Sequence, residues 1–436
     1  MRHFAIVGSG PGGFYTAEAL NKAYGDQARI DILDRYPVPY GLVRFGVAPD
    51  HQSLKAVAKR YDKTADSAGV DFIGNVCVGR DVSVAELLEF YDAVVLAIGA
   101  PADRKLGIPG EDLPGVVGSG AFVGWYNGHP EFADLDPMLG GTHAAVVGNG
   151  NVALDCARIL SKTRAELESG DIVNHALEAL DSSPIRTVTI FGRRGPLQIS
   201  MTPKELGELG HLDAATPVVD PADFPACQAD EALEPGQRKS VTLLRQFASA
   251  GPDPAKPVRI VFDFFAKPLR IEGEEGAEQI HVERTRLDED ERAIGTGETY
   301  QVPANLVITS IGYSTPPMDC VPHDERGGKC RNEQGKIEDR LYCVGWARRG
   351  PTGTIGTNRP DGYEIAEQIA SALPPGSSGA RPGAEGLKAL LASRDVKPTD
   401  YDDWRKIEEI EAARARPGAP REKFVRAEDW LKALGR

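Results

Sequence analysis

Two strand–loop–helix units, each turning on spaced glycines, constrain this chain more than any other feature. In "HFAIVGSGPGGFYTAEAL", Phe4 to Val7 form an apolar run, and Gly8, Gly10 and Gly13 follow in G-x-G-x-x-G spacing. An alanine-rich helical pattern begins at once. The first glycine permits the tight turn and the second lets a pyrophosphate approach the backbone. The third lets the helix pack closely on the strand, and the helix N-terminus attracts the phosphates. "RIDILDR" then gives a second strand ending at Asp34, placed to accept hydrogen bonds from a ribose. A dinucleotide site is expected here.

The second unit is "THAAVVGNGNVALDCARIL". Ala144 to Val147 form its strand, and Gly148, Gly150 and Ala153 give G-x-G-x-x-A before another helix. "TIFGRRGP" reads as the second strand of this unit, ended by Gly192. Where the first unit carries Asp34, this one carries Arg193 and Arg194. An acidic residue at that place selects a free 2′-hydroxyl, whereas arginine accommodates a 2′-phosphate. The pair therefore points to NADPH.

"YDAVVLAIGA" and "ANLVITSIGY" are apolar strands ending in Gly99 and Gly312. Each runs into a proline-bearing segment, "PADRKLGIPG" and "STPPMDCVP", read as the two crossings between domains. The expected fold is α/β, with two Rossmann-like three-layer nucleotide-binding domains. The NADPH domain (105–312) is inserted into a discontinuous FAD domain made of 1–104 and 313–436. The stretch 162–184 exceeds what a simple crossover needs and reads as an extended helix plus an insertion.

A length of 436 residues exceeds one ordinary core. Lys plus Arg number 50 against 64 Asp plus Glu, a net charge of −14, which argues against nucleic acid as the main partner. No apolar run is long enough for membrane insertion. The opening "MRHFAIVGSG" enters a strand directly, so a cytoplasmic chain is expected. Six cysteines (Cys77, Cys156, Cys227, Cys320, Cys330 and Cys343) include no Cys-x-x-Cys and fit no iron–sulfur or zinc spacing. Cys320, His323 and Cys330 offer a remote chance of a shared metal, but none is expected. Without a cysteine pair to receive electrons, the disulfide-reductase route is closed.

With "GLVRFGVAPDH" and "GPTGTIGTNRPDG" added, the chain resembles adrenodoxin reductase and its bacterial relatives, the NADPH–ferredoxin reductases of that type. The resemblance runs from the first strand to "DWRKIEEIEAARARPGAPREKFV" and includes "GRRGPLQ", "TPKELGEL" and "VGWARRGPTGTIGTN". Two departures stand out: Asp34 where the family usually has glutamate, and Met201 where an aromatic residue is common. The resemblance implies FAD at Gly8, Gly10, Gly12, Asp34, Leu42, Val78, Trp346, Gly353 and Ile355. It implies NADPH at Asn149, Asn151, Val152, Arg193, Arg194, Glu205 and Gly353. Gly13 and Gly150 join these through the glycine spacing, and Thr354 through its place in the Gly353 loop. The implied activity is that of a ferredoxin–NADP+ reductase: hydride from NADPH to FAD N5, then single electrons to a ferredoxin-type iron–sulfur protein. A monomer is expected.

Three residues are candidates for the chemistry. Trp346 follows Gly345 where many flavoproteins place an aspartate, and its position favours contact with flavin and nicotinamide. His51 is placed near the flavin by the resemblance, and Glu208 is a partner able to tune proton release. Thr357 or Asn358 is expected to cap a helix beginning at Arg359 and Pro360, with Ile365, Ala366, Ile369 and Ala370 as its apolar stripe. The positive end of that helix and the amides of Gly353 to Ile355 can stabilise negative charge on the reduced ring. A basic docking face at Arg238, Lys239 and Arg245 is expected for the acidic partner. The alternatives are a flavoprotein subunit serving another acceptor, and a non-catalytic nucleotide-binding scaffold.

Overall fold

The computed structural model describes residues 1–377, 379 and 381–436, with the side chains of Cys227 and Gln228 outside the description. Its first sheet has the strand order Lys336–Glu338, Leu341–Cys343, Ala93–Leu96, Arg2–Val7, Ala28–Leu33, Val70–Ile73. All neighbours are parallel except the first pair. Phe4, Ile6, Ile30, Ile32, Val94 and Val95 are fully buried. Such strands lie between helical layers and read as continuous apolar runs rather than alternating ones. One face is covered by helices Pro11–Tyr24 and Asn358–Ala372, from opposite ends of the chain. They pack so closely that a Cβ on Gly362 would lie 2.8 Å from the Thr16 amide nitrogen.

The second sheet is wholly parallel, in the order Val116–Gly118, Leu306–Thr309, His143–Val147, Thr187–Gly192, Val258–Phe264, Ala215–Val219. A three-stranded antiparallel sheet, Ala266–Glu272, Gln279–Leu287 and Ala293–Pro303, packs beside it. The fold is therefore α/β with two Rossmann-like sheets, one interrupted by the other. The crossing segments lie side by side: Tyr313 and Ser314 pair antiparallel with Asp103 and Ala102. Arg104 Nε donates to the Tyr313 carbonyl at 2.9 Å, and Thr315 Oγ1 donates to the Gly99 carbonyl at 2.7 Å.

Two local expectations are corrected. The stretch 162–184 does not extend the preceding helix, which ends at Ser161 because Lys162 turns to extended backbone (ψ 145°). Thr163 then starts a new helix, Arg164–Leu167, through a reciprocal capping box with Glu166, and Asn174–Asp181 follows. The late helix starts at Asn358, but no side chain caps it. Thr357 Oγ1 instead accepts from the Thr354 amide at 3.0 Å, because the loop folds back on itself at Gly353. The expected stripe faces inward: Ile365 and Ile369 are fully buried.

Candidate active site

The first loop shows which of its glycines serve packing and which leave room. Gly8 has φ +110°, and a Cβ there would lie 2.5 Å from the Ala97 carbonyl oxygen. A Cβ on Gly13 would collide with the Gly8 carbonyl oxygen. At Gly10, by contrast, nothing lies within 4 Å of a Cβ position, so the space above the helix N-terminus is open for a ligand. Gly12 stands against Val344 and Gly345, so the Trp346 segment borders the same opening. Gly41 approaches Gly10, placing Leu42, 47% exposed, at its rim. Val78 lies two residues beyond Val76, whose amide bonds the Asp34 carbonyl at 2.9 Å.

Asp34 is tied down by its own loop. Oδ2 accepts from the Ser9 amide at 3.0 Å and the Ser9 hydroxyl at 2.5 Å, and Oδ1 accepts from the Tyr36 amide at 3.0 Å. Burial pushes this carboxyl upward, and those donors oppose the rise. Three bonds on two oxygens leave acceptor capacity for a sugar hydroxyl.

On the far side of the opening, the Trp346 ring stacks on Tyr313, with centroids 5.9 Å apart and planes at 13°. Its indole Nε1 donates to the Thr352 carbonyl at 3.0 Å. The turn beneath is fixed by Asp361, which accepts from the Gly345 amide and from Arg348 Nη1, each at 2.7 Å, and from Arg349. Gly353, Thr354 and the half-buried Ile355 continue this rim at the start of helix Asn358–Ala372.

In the second unit a cavity of about 890 Å³ opens at the loop, lined by Gly148, Asn149, Gly150, Arg193 and Arg194 among others. Gly148 repeats the role of Gly8, with φ +144° and its α-carbon against the Ser310 carbonyl. Gly150 repeats that of Gly10, with nothing within 4 Å of a Cβ. Asn149 Oδ1 is buried without a partner among the described residues, an unfulfilled acceptor beside this space. Asn151 and Val152 begin the helix; Asn151 Oδ1 accepts from the Thr202 amide at 2.8 Å, and the Thr202 hydroxyl donates to Glu205.

Five cations line the cavity: Arg104, Lys105, Arg193, Arg194 and Lys267. Arg104 is held by the Tyr313 and Gly327 carbonyls, Lys105 by Asp112 and Lys267 by Glu283. Arg193 and Arg194 have their carbonyls fixed by Thr285 Oγ1 and the Phe265 amide. Their guanidiniums are exposed and meet no partner among the described residues.

His51 and Glu208 meet across the seam between the two sheets, with Nε2 2.9 Å from Oε2. Their surroundings were not legible in the sequence. Arg158, 2% exposed, sends Nη1 to Asp50, Nη2 to Asp155 at 2.7 Å and Nε to within 3.4 Å of Glu208. Lys162 Nζ adds a contact to Asp50 at 2.7 Å. Burial raises the Asp155 carboxyl, whereas at Asp50 the opposing Arg158 and Lys162 outweigh burial and hold it low. The only signal was an Asp155/Arg158 pair three residues apart on an otherwise apolar helical face.

Other expectations fare differently. On helix Pro235–Ala250, Arg238 bonds the Glu231 and Leu233 carbonyls. Arg245 pairs with Asp230 and lies over Phe224, so it is not part of an open docking face; Lys239 is exposed. His323 and Cys330 are register partners, but His323 Nε2 bonds the Thr315 carbonyl at 2.9 Å. No metal-holding group of His, Cys, Asp or Glu occurs among the described residues.

Comparison with known proteins accords with this geometry. The pyridine nucleotide-disulphide oxidoreductase family matches residues 2–209. The human mitochondrial NADPH:adrenodoxin oxidoreductase is 45% identical, over 99% of this chain and 91% of its own length. The chain belongs to the adrenodoxin reductase family. Within that family, the NADPH-ferredoxin reductase FprA of Mycobacterium tuberculosis is 41% identical, over 99% of this chain and 98% of its own. The structure of FprA in complex with NADPH superposes with a TM-score of 0.94 at 40% identity, covering both chains completely. Family membership settles the fold of both sheets together. No described helix is long and apolar enough to cross a membrane.

Proposed function

We propose that this protein is an FAD-dependent NADPH–ferredoxin oxidoreductase. The observation that carries the reading is the asymmetry between its two nucleotide units. A carboxylate, Asp34, follows the second strand of one, and the guanidiniums of Arg193 and Arg194, without a partner among the described residues, follow that of the other. The first suits a ribose hydroxyl and the second a 2′-phosphate. Residues 1–104 and 313–436 make up the FAD unit in this reading, and 105–312 the NADPH unit.

The residues present fit both dinucleotides. Gly10 and Gly150 leave open space at helix N-termini, and Asn149 keeps a buried oxygen without a donor among the described residues. Gly8 and Gly13 set the backbone of the first loop, and Gly12, Leu42, Val78 and the Gly353–Ile355 rim would hold FAD there. Asn151, Val152 and Glu205 would position NADPH, and Trp346 would border the place where it meets the flavin. FAD, when bound, converts a two-electron donor into a source of single electrons. The protein's part is to align the rings, exclude water with the Trp346–Tyr313 stack, and hold a proton at His51 Nε2 that Glu208 Oε2 can share. The acceptor is a ferredoxin-type iron–sulfur protein, the kind of partner named for the relatives.

Anaerobic NADPH should bleach the yellow protein within seconds, and a subsequently added ferredoxin should be reduced. Bleaching without electron delivery to any ferredoxin, together with rapid reduction of another acceptor, would replace this reading with that of a flavoprotein serving that acceptor.

A further inference from the structure

The loop that carries His51 belongs to the first sheet's side of the molecule, yet it is gripped mainly from outside. Asn127 Nδ2 donates to the Val47 carbonyl at 3.1 Å, and the Asp171 amide donates to the Pro49 carbonyl at 3.0 Å. Lys55, at the end of the short helix Gln52–Lys55 that His51 begins, places Nζ 2.6 Å from Asp171 Oδ1. The chain is closely apposed there, since a Cβ on Gly170 would lie 2.5 Å from the Pro49 carbonyl oxygen.

Asp171 lies in the 162–184 stretch, which the nucleotide sites leave without a role. Its other oxygen, Oδ2, faces Lys423 Nζ at 3.3 Å, and Lys423 is a fully buried residue of the C-terminal tail. Lys423 also donates to the Asn127 carbonyl at 3.0 Å and lies 3.4 Å from the Arg44 carbonyl. Arg416 of the same tail binds the Gly170 and Ile172 carbonyls, each at 2.9 Å. Three chain segments thus converge on one carboxylate, 5% exposed, shared by two ammonium groups. A buried carboxylate is expensive to desolvate, and a set of ions like this holds together only while every member keeps its partner. Such an arrangement contributes little net stability over an apolar packing, so its value lies in fixing one relative placement of the segments.

We propose that Asp171 is a positioning residue for His51: with Lys55 and Lys423 it locks the 47–55 loop onto the second nucleotide unit, and the C-terminal tail closes the lock. The catalytic consequence rests on the reading of His51 given above. The placement itself does not.

Two variants of the flavin-loaded protein test it, Lys55→Met and Asp171→Asn. Lys55→Met cuts the link on the His51 side and leaves Asp171 paired with Lys423, so it remains informative should Asp171→Asn fail to fold. Each variant is followed by amide hydrogen exchange and by NADPH turnover with ferricyanide. Exchange across 47–55 should quicken by at least about tenfold in both, and across 416–423 in Asp171→Asn alone. The kcat should fall about tenfold while KM for NADPH stays within about twofold, the signature of a misplaced group rather than a lost binding contact. Faster exchange with unchanged kcat supports the lock and overturns the role given to His51. Unchanged exchange across 47–55 in folded Lys55→Met overturns the lock.

Discussion

His51 Nε2 lies 2.9 Å from Glu208 Oε2, although His51 lies between strands of the first sheet and Glu208 between strands of the second. The pair exists only when the loop 47–55 and helix Pro203–Glu208 are brought together, so it reports on domain placement as well as chemistry. Glu208 is shared with Arg158, which ties the pair to Asp50 and Asp155.

His51→Ala should therefore change the pH dependence of electron delivery more than it changes NADPH binding. Turnover with ferredoxin should no longer follow the wild-type pH profile. KM for NADPH should stay within about twofold. A pH profile identical to that of the wild type would leave His51 a structural contact between the units.

The glycines separate into two classes with opposite outcomes. Gly13→Ala places a methyl against the Gly8 carbonyl and should abolish stable folding of the first unit or strip it of flavin. Gly150→Ala meets nothing within 4 Å, and its φ of −114° suits any residue. It should melt within about a degree of the wild type yet raise KM for NADPH roughly tenfold or more, since the methyl occupies the phosphate's approach. Normal KM in Gly150→Ala would mean the pyrophosphate does not cross that loop.

Asp31 supplies a stability test independent of the cofactors. It is fully buried in strand Ala28–Leu33, accepts from the Tyr91 hydroxyl at 2.7 Å, and its Oδ1 has no partner among the described residues. Burial pushes its carboxyl up to about 6 from the usual 3.8. A raised carboxyl favours the native state fully below pH ~4, and that advantage is lost as pH rises through about 6. At pH 8 the charged form costs up to about 3 kcal/mol. Asp31→Asn should thus melt a few degrees higher than the wild type at pH 8, and the difference should vanish by pH 4. A variant that melts lower at pH 8 would show that the buried carboxylate is compensated in its charged form.

The docking face narrows to Lys239, because Arg245 is engaged by Asp230 and Phe224 and Arg238 by the Glu231 and Leu233 carbonyls. Lys239→Glu should slow ferredoxin reduction at low salt and spare ferricyanide reduction, with the difference shrinking once screening shortens to ~8–10 Å. Equal effects on both acceptors would place docking elsewhere.

Much of this architecture is readable in the chain because its signals are local. Gly8, Gly10 and Gly13 sit between a strand and a helix, and the backbone geometry they permit is the geometry observed. The expected strands over 91–100 and 304–313 form but end at Leu96 and Thr309, short of Gly99 and Gly312, which stand in the following turns with positive φ. What escapes is long-range and polar. Lys423 meets Asp171 across more than half the chain, and no periodicity marks either residue. Arg245 reads as surface charge on a helix face, but its partner Asp230 lies in a preceding turn that has no pattern of its own. The 162–184 stretch reads as helix because its residues are good helix formers. The break at Lys162 depends on a capping box, Thr163 with Glu166, whose spacing was there to be seen.

Coenzyme discrimination shows whether Arg193 and Arg194 read a 2′-phosphate. Each guanidinium offers forked donors, and among the described residues neither meets a partner that would compete. The wild-type kcat/KM should favour NADPH over NADH by roughly two to three orders of magnitude. In the double variant Arg193→Ala/Arg194→Ala the NADPH value should fall toward that for NADH. NADH turnover should hardly move, and flavin should remain bound. Equal losses with both coenzymes would contradict the claim and make the pair a structural feature of the strand's end.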